Sequence, residues 1–181
     1  KHAQELAPDL AETHLALGYV AYAQREFDQA LGHFKQAESL RPSGDAARAI
    51  CLTLRRLGRW EAALNYAEKA RSLIPRSYSI YSDELGSTRM ILRRFDEAEQ
   101  DLDQAIAVAP QLNDAYLLKA QVLVERSGDV SAAKQVLLEM SRRTYVPEAA
   151  EATITQGFGG QLTSVALRLV PGECSVIVDA F

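Results

Sequence analysis

The 181-residue chain has little of what catalytic, metal-binding or disulfide-bonded proteins depend on. Its two cysteines, Cys51 and Cys174, are too few and too far apart for a disulfide framework and are compatible with a reducing compartment. The three histidines, His2, His14 and His33, come without a further ligand at metal-binding spacing, so no metal site is expected. A serine nucleophile elbow and a phosphate-binding glycine loop are both absent. Gly157-Phe158-Gly159-Gly160 has no lysine after it and reads as a turn. Paired carboxylates such as Asp101 with Asp103, or Asp96 with Glu97, fall on a helix surface where solvation and helix-start charge account for them. The chain is therefore expected to have no catalytic residues, no cofactor and no enzymatic activity. No run of about 20 apolar residues is present to cross a bilayer, and there is no start methionine or signal peptide. A formal net charge of −4 argues against general affinity for nucleic acid or anionic membrane.

What is present is a period. Pro8, Pro42, Pro75 and Pro110 each close an alanine-rich amphipathic stretch, and the same pattern precedes three of them. It reads Phe27-x-x-Ala30-x-x-x-Phe34-x-x-Ala37 ahead of Pro42, Trp60-x-x-Ala63-x-x-x-Ala67-x-x-Ala70 ahead of Pro75, and Phe95-x-x-Ala98-x-x-x-Leu102-x-x-Ala105 ahead of Pro110. A fourth copy begins Val130-x-x-Ala133-x-x-x-Leu137, so Ala30, Ala63, Ala98 and Ala133 lie 33, 35 and 35 residues apart. Self-similarity at this period, one helix pair per copy, predicts an α-solenoid in which stacking supplies the core that a single pair cannot bury. Small residues at fixed points let paired helices approach closely, and large apolar residues fill the grooves between them. Proline, lacking an N–H and biasing the residue before it away from helix, is a natural stop. Ser43, Gly44 and Asp45, and Arg76 with Ser77, read as turns.

These residues resemble the tetratricopeptide-repeat (TPR) family, with position 1 of successive repeats at Ala11, Gly44, Ser79 and Asn113. Repeat one matches through Leu17, Gly18, Phe27, Ala30, Phe34, Ala37 and Pro42, and repeat three through Leu85, Gly86, Phe95, Ala98, Leu102, Ala105 and Pro110. Repeat two substitutes Ile50, Cys51 and Ala67. Repeat four carries Ala120 and Ala133 but places Met140 and Tyr145 where alanine and proline belong. The resemblance implies an all-α fold, a right-handed alpha-alpha superhelix of about four helix pairs with an atypical C-terminal cap. The expected organisation is the end of a preceding repeat helix at 1–8, four repeats at 11–43, 44–78, 79–112 and 113–145, degenerate capping helices at 146–171 and a tail at 172–181. Within the cap, helices are expected from Pro147 and over 161–170, where Ala166-Leu167-x-Leu169-x-Pro171 echoes Ala105-Ile106-x-Val108-x-Pro110; Cys174–Val178 has strand-like character.

In this family the first helix of each pair lines a concave groove. Carried over position by position, the resemblance implies partner contacts from Glu12, Leu15, Tyr19 and Tyr22; from Asp45, Arg48, Leu52 and Arg55; from Ile80, Asp83, Glu84 and Ser87; and from Asp114, Leu117 and Gln121. The groove would be aromatic at its start, basic in the middle and acidic beyond. Tyr19 and Tyr22 either anchor a partner or pack against a preceding repeat. The basic residues Arg55, Arg56, Arg59, Arg93 and Arg94 also complement helix C-termini. The cationic cradle by which some members hold chaperone C-termini is not matched by Leu15, Tyr19, Ala49, Ile80 and Glu84. The leading expectation is a scaffold binding a peptide or protein in this groove. The alternatives are a substrate-selecting or regulatory region of a larger enzyme or signalling protein, and homo-oligomerisation through repeat ends.

Overall fold

A computed structural model describes residues 10–128, 130–143, 150–158, 161–170 and 173–180. The chain divides into two compact units, Lys1–Leu92 and Arg93–Phe181. The expected helix end at 1–8 lies outside the described residues.

The first unit holds two complete helix pairs. Helices α1 (Ala11–Ala23) and α2 (Phe27–Leu40) form one, α3 (Gly44–Arg56) and α4 (Trp60–Leu73) the next. A further helix runs over 78–91, with a π-helical segment at Ile80–Gly86 followed by α5 (Ser87–Ile91). The second unit contains α6 (Phe95–Val108), α7 (Asp114–Ser127) and α8 (Val130–Arg143), then three strands. Among the described residues, no helix is long and apolar enough to cross a membrane.

The repeat register is the burial register. Ala30, Ala63 and Ala98 have no exposed surface and Ala133 has 2%. Phe34, Ala67, Leu102 and Leu137 are sealed in the same way four residues later. The core is dense because the small positions admit large partners: a Cβ placed on Gly18 would stand 2.4 Å from the Phe34 ring. Repeat two puts Cys51 and Ala67, both fully buried, where repeat one has Gly18 and Phe34. Bulk removed from one helix of the pair is partly returned on the other.

Proline ends the helices through its predecessor. Arg41, Ile74 and Ala109, directly before Pro42, Pro75 and Pro110, have φ of −149°, −132° and −142° and positive ψ, outside the helical basin. Gly44 and Asp45, read from sequence as turn, are instead the first residues of α3, with Ser43 as N-cap accepting the Ala46 N–H at 3.1 Å. The proline carbonyls are used as well. Tyr81 and Tyr116 each donate their hydroxyl to the carbonyl six residues upstream, of Pro75 and Pro110, at 3.2 and 3.0 Å. Six residues after Pro42 stands Arg48, which serves a different purpose described below.

The region after Tyr145 departs from expectation. Strands β1 (Ala150–Phe158), β2 (Gln161–Val170) and β3 (Glu173–Ala180) form an antiparallel sheet in the order β1-β2-β3. The capping helix expected over 161–170 is therefore strand β2, and the helix expected from Pro147 is strand from Ala150, its first residues lying outside the described ones. β3 covers the run read as strand-like. The physical reason is visible in the residues: Val165, Leu167 and Leu169 alternate at period two among Thr163 and Ser164. The register pairs Phe158 with Gln161 and Val170 with Glu173.

Candidate functional site

The first-unit residues expected to line a groove come from α1, α3 and the 78–91 helix. Successive turns of α1 carry Leu15, Tyr19 and Tyr22. Tyr19 is 49% exposed and stands edge-on to Phe34, ring centroids 5.1 Å apart. Tyr22 is half-buried, edge-on to Phe27 at 5.4 Å. Partial burial raises the Tyr19 hydroxyl pKa, against the opposing pull of Arg48. Glu12 is exposed and ion-paired with Arg41.

Three clefts meet at Tyr22. An apolar one of ≈ 70 Å³ is lined by Tyr19, Tyr22, Phe34, Ala49 and Leu52. A second, ≈ 160 Å³, lies between Tyr22, Leu52, Arg55, Arg56 and Trp60. The third, ≈ 490 Å³, is bordered by Tyr22, Ala23, Arg25, Phe27 and Arg56. The exposed Arg56 donates from Nε to the Tyr22 hydroxyl at 3.0 Å, which leaves the outer face of its guanidinium toward solvent. Arg55 is spent differently: its Nη1 donates to the Asp83 carbonyl at 2.5 Å, tying α3 to the third repeat. The result is an aromatic furrow with a cationic rim. Trp60 and Arg25, absent from the expected contact set, line these clefts beside Arg56.

Other expected contacts are not at the surface. Ile80 and Glu84 are both fully buried. Glu84 accepts from Arg48 Nε at 2.7 Å, an ion pair between a sealed carboxylate and a guanidinium 38% exposed. Burial pushes the Glu84 carboxyl above its ordinary range, and Arg48 pulls the other way. For Arg48 burial alone would lower the pKa, but the Glu84 carboxylate outweighs it and the net direction is up. Ile80 opens the π-helical segment and Glu84 lies within it, and Ala49, at the corresponding place of the regular helix α3, is buried as Glu84 is. Of the remaining positions here, Asp45 and Asp83 are exposed, Leu52 is half-buried, and Ser87 is half-buried with its hydroxyl on the Asp83 carbonyl.

In the second unit, Asp114 is exposed and Leu117 and Gln121 are half-buried on α7. Gln121 Nε2 donates to Glu125 Oε1 at 2.8 Å. The neighbouring α6 and α7 are laced by charge: Arg126 pairs with Asp96 and Glu99 at 2.9 and 2.8 Å, and Lys119 with Asp103 at 2.6 Å. Among the described residues, no group of three or more His, Cys, Asp or Glu is placed to hold a metal ion.

No curated protein matches the sequence. Among solved structures, a MamA protein superposes with a TM-score of 0.70 at 18% identity, over 77% of this chain and 76% of that one. MamA 41-end from Desulfovibrio magneticus RS-1 gives 0.69 at 17% identity, over 77% and 82%. The Arabidopsis OM64 TPR domain gives 0.58 at 20% identity, over 62% and 93%. These likenesses establish the fold of the helical part as the all-α helix-pair repeat. The tetratricopeptide repeat family model matches residues 15–78 and 84–144. With its repeat alanines buried in register and its helices stopped at the same prolines, the chain belongs to the tetratricopeptide-repeat family.

Proposed function

We propose that this chain is a protein–protein interaction scaffold that takes a peptide or protein segment into the furrow between α1 and α3. The observation that carries this reading is the convergence of three clefts on Tyr22, with Tyr19 half exposed beside it and Arg25 and Arg56 on the rim. Tyrosine and arginine combine large contact area with directed hydrogen bonds, which makes them effective anchors. A segment that seats one apolar side chain against Tyr22 and Leu52 and sets an acidic one beside Arg56 matches both the shape and the charge of the site. Glu84 holds Arg48 of α3 through their ion pair, and Asp114, Leu117 and Gln121 lie on α7 of the second unit.

Capture from source lysate, comparing the parent chain with Tyr22→Ala combined with Arg56→Glu, tests the assignment once circular dichroism has shown the variant folded. A protein retained by the parent and lost by the variant supports the furrow. Equal retention moves the site elsewhere. Trp60, the only tryptophan in the chain, lines one of the clefts, so an isolated partner segment bound there changes its fluorescence.

A further inference from the structure

The three clefts of the first unit are joined in a fixed order. Leu52 borders the first and the second, Arg56 the second and the third, and Tyr22 all three. A bound chain therefore meets them in sequence, from an apolar end to a cationic one. The first cleft, ≈ 70 Å³, is walled by Tyr19, Tyr22, Phe34, Ala49 and Leu52. An apolar cavity of about 150 Å³ is the size that takes benzene, so a cleft of under half that volume admits an aliphatic side chain and refuses an aromatic ring. The third cleft is lined by two arginines without counter-charge. Arg25 and Arg56 are exposed, and among the described residues neither is in an ion pair, whereas Arg41, Arg48, Arg59 and Arg71 of the same unit each hold a carboxylate. Arg56 commits its Nε to the Tyr22 hydroxyl. Arg25 stands at φ 64°, and where its equivalent Arg93 is drawn over the Phe95 ring, Arg25 makes no such ring contact. A charged side chain held at a left-handed position, with no ion pair or ring contact in its own chain, is free to meet a ligand.

We infer that the furrow selects an internal acidic segment with an aliphatic anchor: a leucine, isoleucine or valine in the first cleft, followed along the furrow by carboxylate side chains at Arg56 and Arg25. The inference rests on the furrow being the binding site and narrows its occupant to one class of partner. Each guanidinium presents a planar fork that takes a carboxylate at two points. Arg56 borders two clefts and Arg25 only the outermost, so the pair calls for carboxylates on successive side chains, which an acidic stretch supplies and a lone chain terminus does not. Arg55, in the second cleft, is already drawn to the Asp83 carbonyl. Both free cations are exposed, so their attraction for the segment is screened by salt.

The test is selection from a library of short random peptides, displayed with both ends fused so that none has a free terminus, on the immobilised 181-residue chain. Each variant is first shown folded by circular dichroism. Recovered peptides should carry an aliphatic residue with Asp or Glu to one side of it. They should bind the double variant Arg25→Glu with Arg56→Glu at least about tenfold more weakly, and the parent more weakly as salt rises. Selection repeated on that charge-reversed variant should recover Lys and Arg in place of the acids, which a misfolded variant could not do. Peptides without acidic bias, or acidic ones that keep their affinity for the charge-reversed variant, overturn the inference, and if they are lost by Tyr22→Ala the furrow itself stands. Aromatic anchors in place of aliphatic ones overturn the assignment of the first cleft. Peptides that bind Tyr22→Ala as tightly as the parent remove the furrow reading too, and recovery of no peptide at all overturns both.

Discussion

Arg48 on α3 donates through Nε to Oε1 of Glu84 at 2.7 Å, and the carboxylate it reaches has no solvent-exposed surface. The second oxygen, Oε2, is buried without a hydrogen-bond partner. A half-satisfied buried carboxylate weighs against the folded state when charged, which is the sense of its raised pKa. For an acid whose folded pKa lies above the unfolded one, the two states titrate alike below the unfolded value, and the folded state loses ground as pH rises through the folded value. Replacing Glu84 by Gln removes that loss. Urea unfolding should show Glu84→Gln within about 1 kcal/mol of the parent or above it at neutral pH, with the parent gaining on the variant as pH falls through the carboxyl range. Arg48→Ala, which strands the charge, should cost about 2–3 kcal/mol, below the full cost of a buried pair because Arg48 is partly exposed. A parent that gains nothing on Glu84→Gln in acid would refute the raised pKa.

That pair also marks where sequence reasoning stops. The alanine register and the prolines were legible because each reports a local steric demand, a small residue at a helix crossing or a missing N–H. Those demands repeat wherever the helix pair repeats. The expectation of a partner contact at Glu84 comes by position from the family resemblance, whereas burial at this place is shared by Ala49 in repeat two. His14 and His33 meet through tertiary packing that no spacing rule reveals. The helix expectation over 161–170 rests on Ala166-Leu167-x-Leu169-x-Pro171 echoing Ala105-Ile106-x-Val108-x-Pro110, yet Leu167 and Leu169, two apart, share a strand face and not a helix face. Threonine, serine and valine around them were the signal for strand.

Gly18 and Phe34 make a second testable pair. A methyl group at Gly18 would fall 2.4 Å from one ring atom and 2.5 Å from another, closer than nonbonded carbons approach. Phe34 has no exposed surface and little room to retreat. Gly18→Ala should therefore lower stability by about 1–3 kcal/mol despite alanine's better helix propensity. Combining it with Phe34→Leu should recover part of the loss, as Leu102 follows Gly86 in repeat three. Losses that simply add in the double variant would show that the contact is not what couples them.

Cys51 occupies the equivalent place in repeat two and has no exposed surface. Burial pushes its thiol up to about 12, with the Glu84 carboxylate adding to the shift and Arg55 and Arg48 opposing it. Only the thiolate reacts with alkylating reagents. In a Cys174→Ser background, iodoacetamide at mildly alkaline pH should label the native chain at least about a thousandfold more slowly than the urea-unfolded chain. The residual native rate should rise with sub-denaturing urea, since labelling then proceeds through opening of the α3–α4 pair. Rapid native labelling would place Cys51 outside the packed core.

The turns inside the helix pairs carry the last prediction. Arg25, Gly58, Arg93 and Gly128 occupy corresponding places and all have positive φ, at 64°, 70°, 58° and 70°. The turns at Arg25 and Gly58 close with the same bond, Glu26 N–H reaching the Ala21 carbonyl and Arg59 N–H the Leu54 carbonyl, both at 2.9 Å. The backbone conformation is therefore set by the repeat, and the residue must tolerate it. Nothing lies within 4 Å of a Cβ built on Gly58, so Gly58→Ala isolates the left-handed penalty, about 1 kcal/mol, as a drop in urea-unfolding stability. Arg25→Gly should run the other way by a similar amount, offset by the greater unfolded-state freedom of glycine. Arg93→Gly should gain less, because the Arg93 guanidinium lies over the Phe95 ring at 5.0 Å and that contact is lost. If Arg25→Gly and Arg93→Gly prove equal, the ring contact contributes nothing; if Arg25→Gly destabilises, its side chain holds the turn through a contact stronger than the backbone strain.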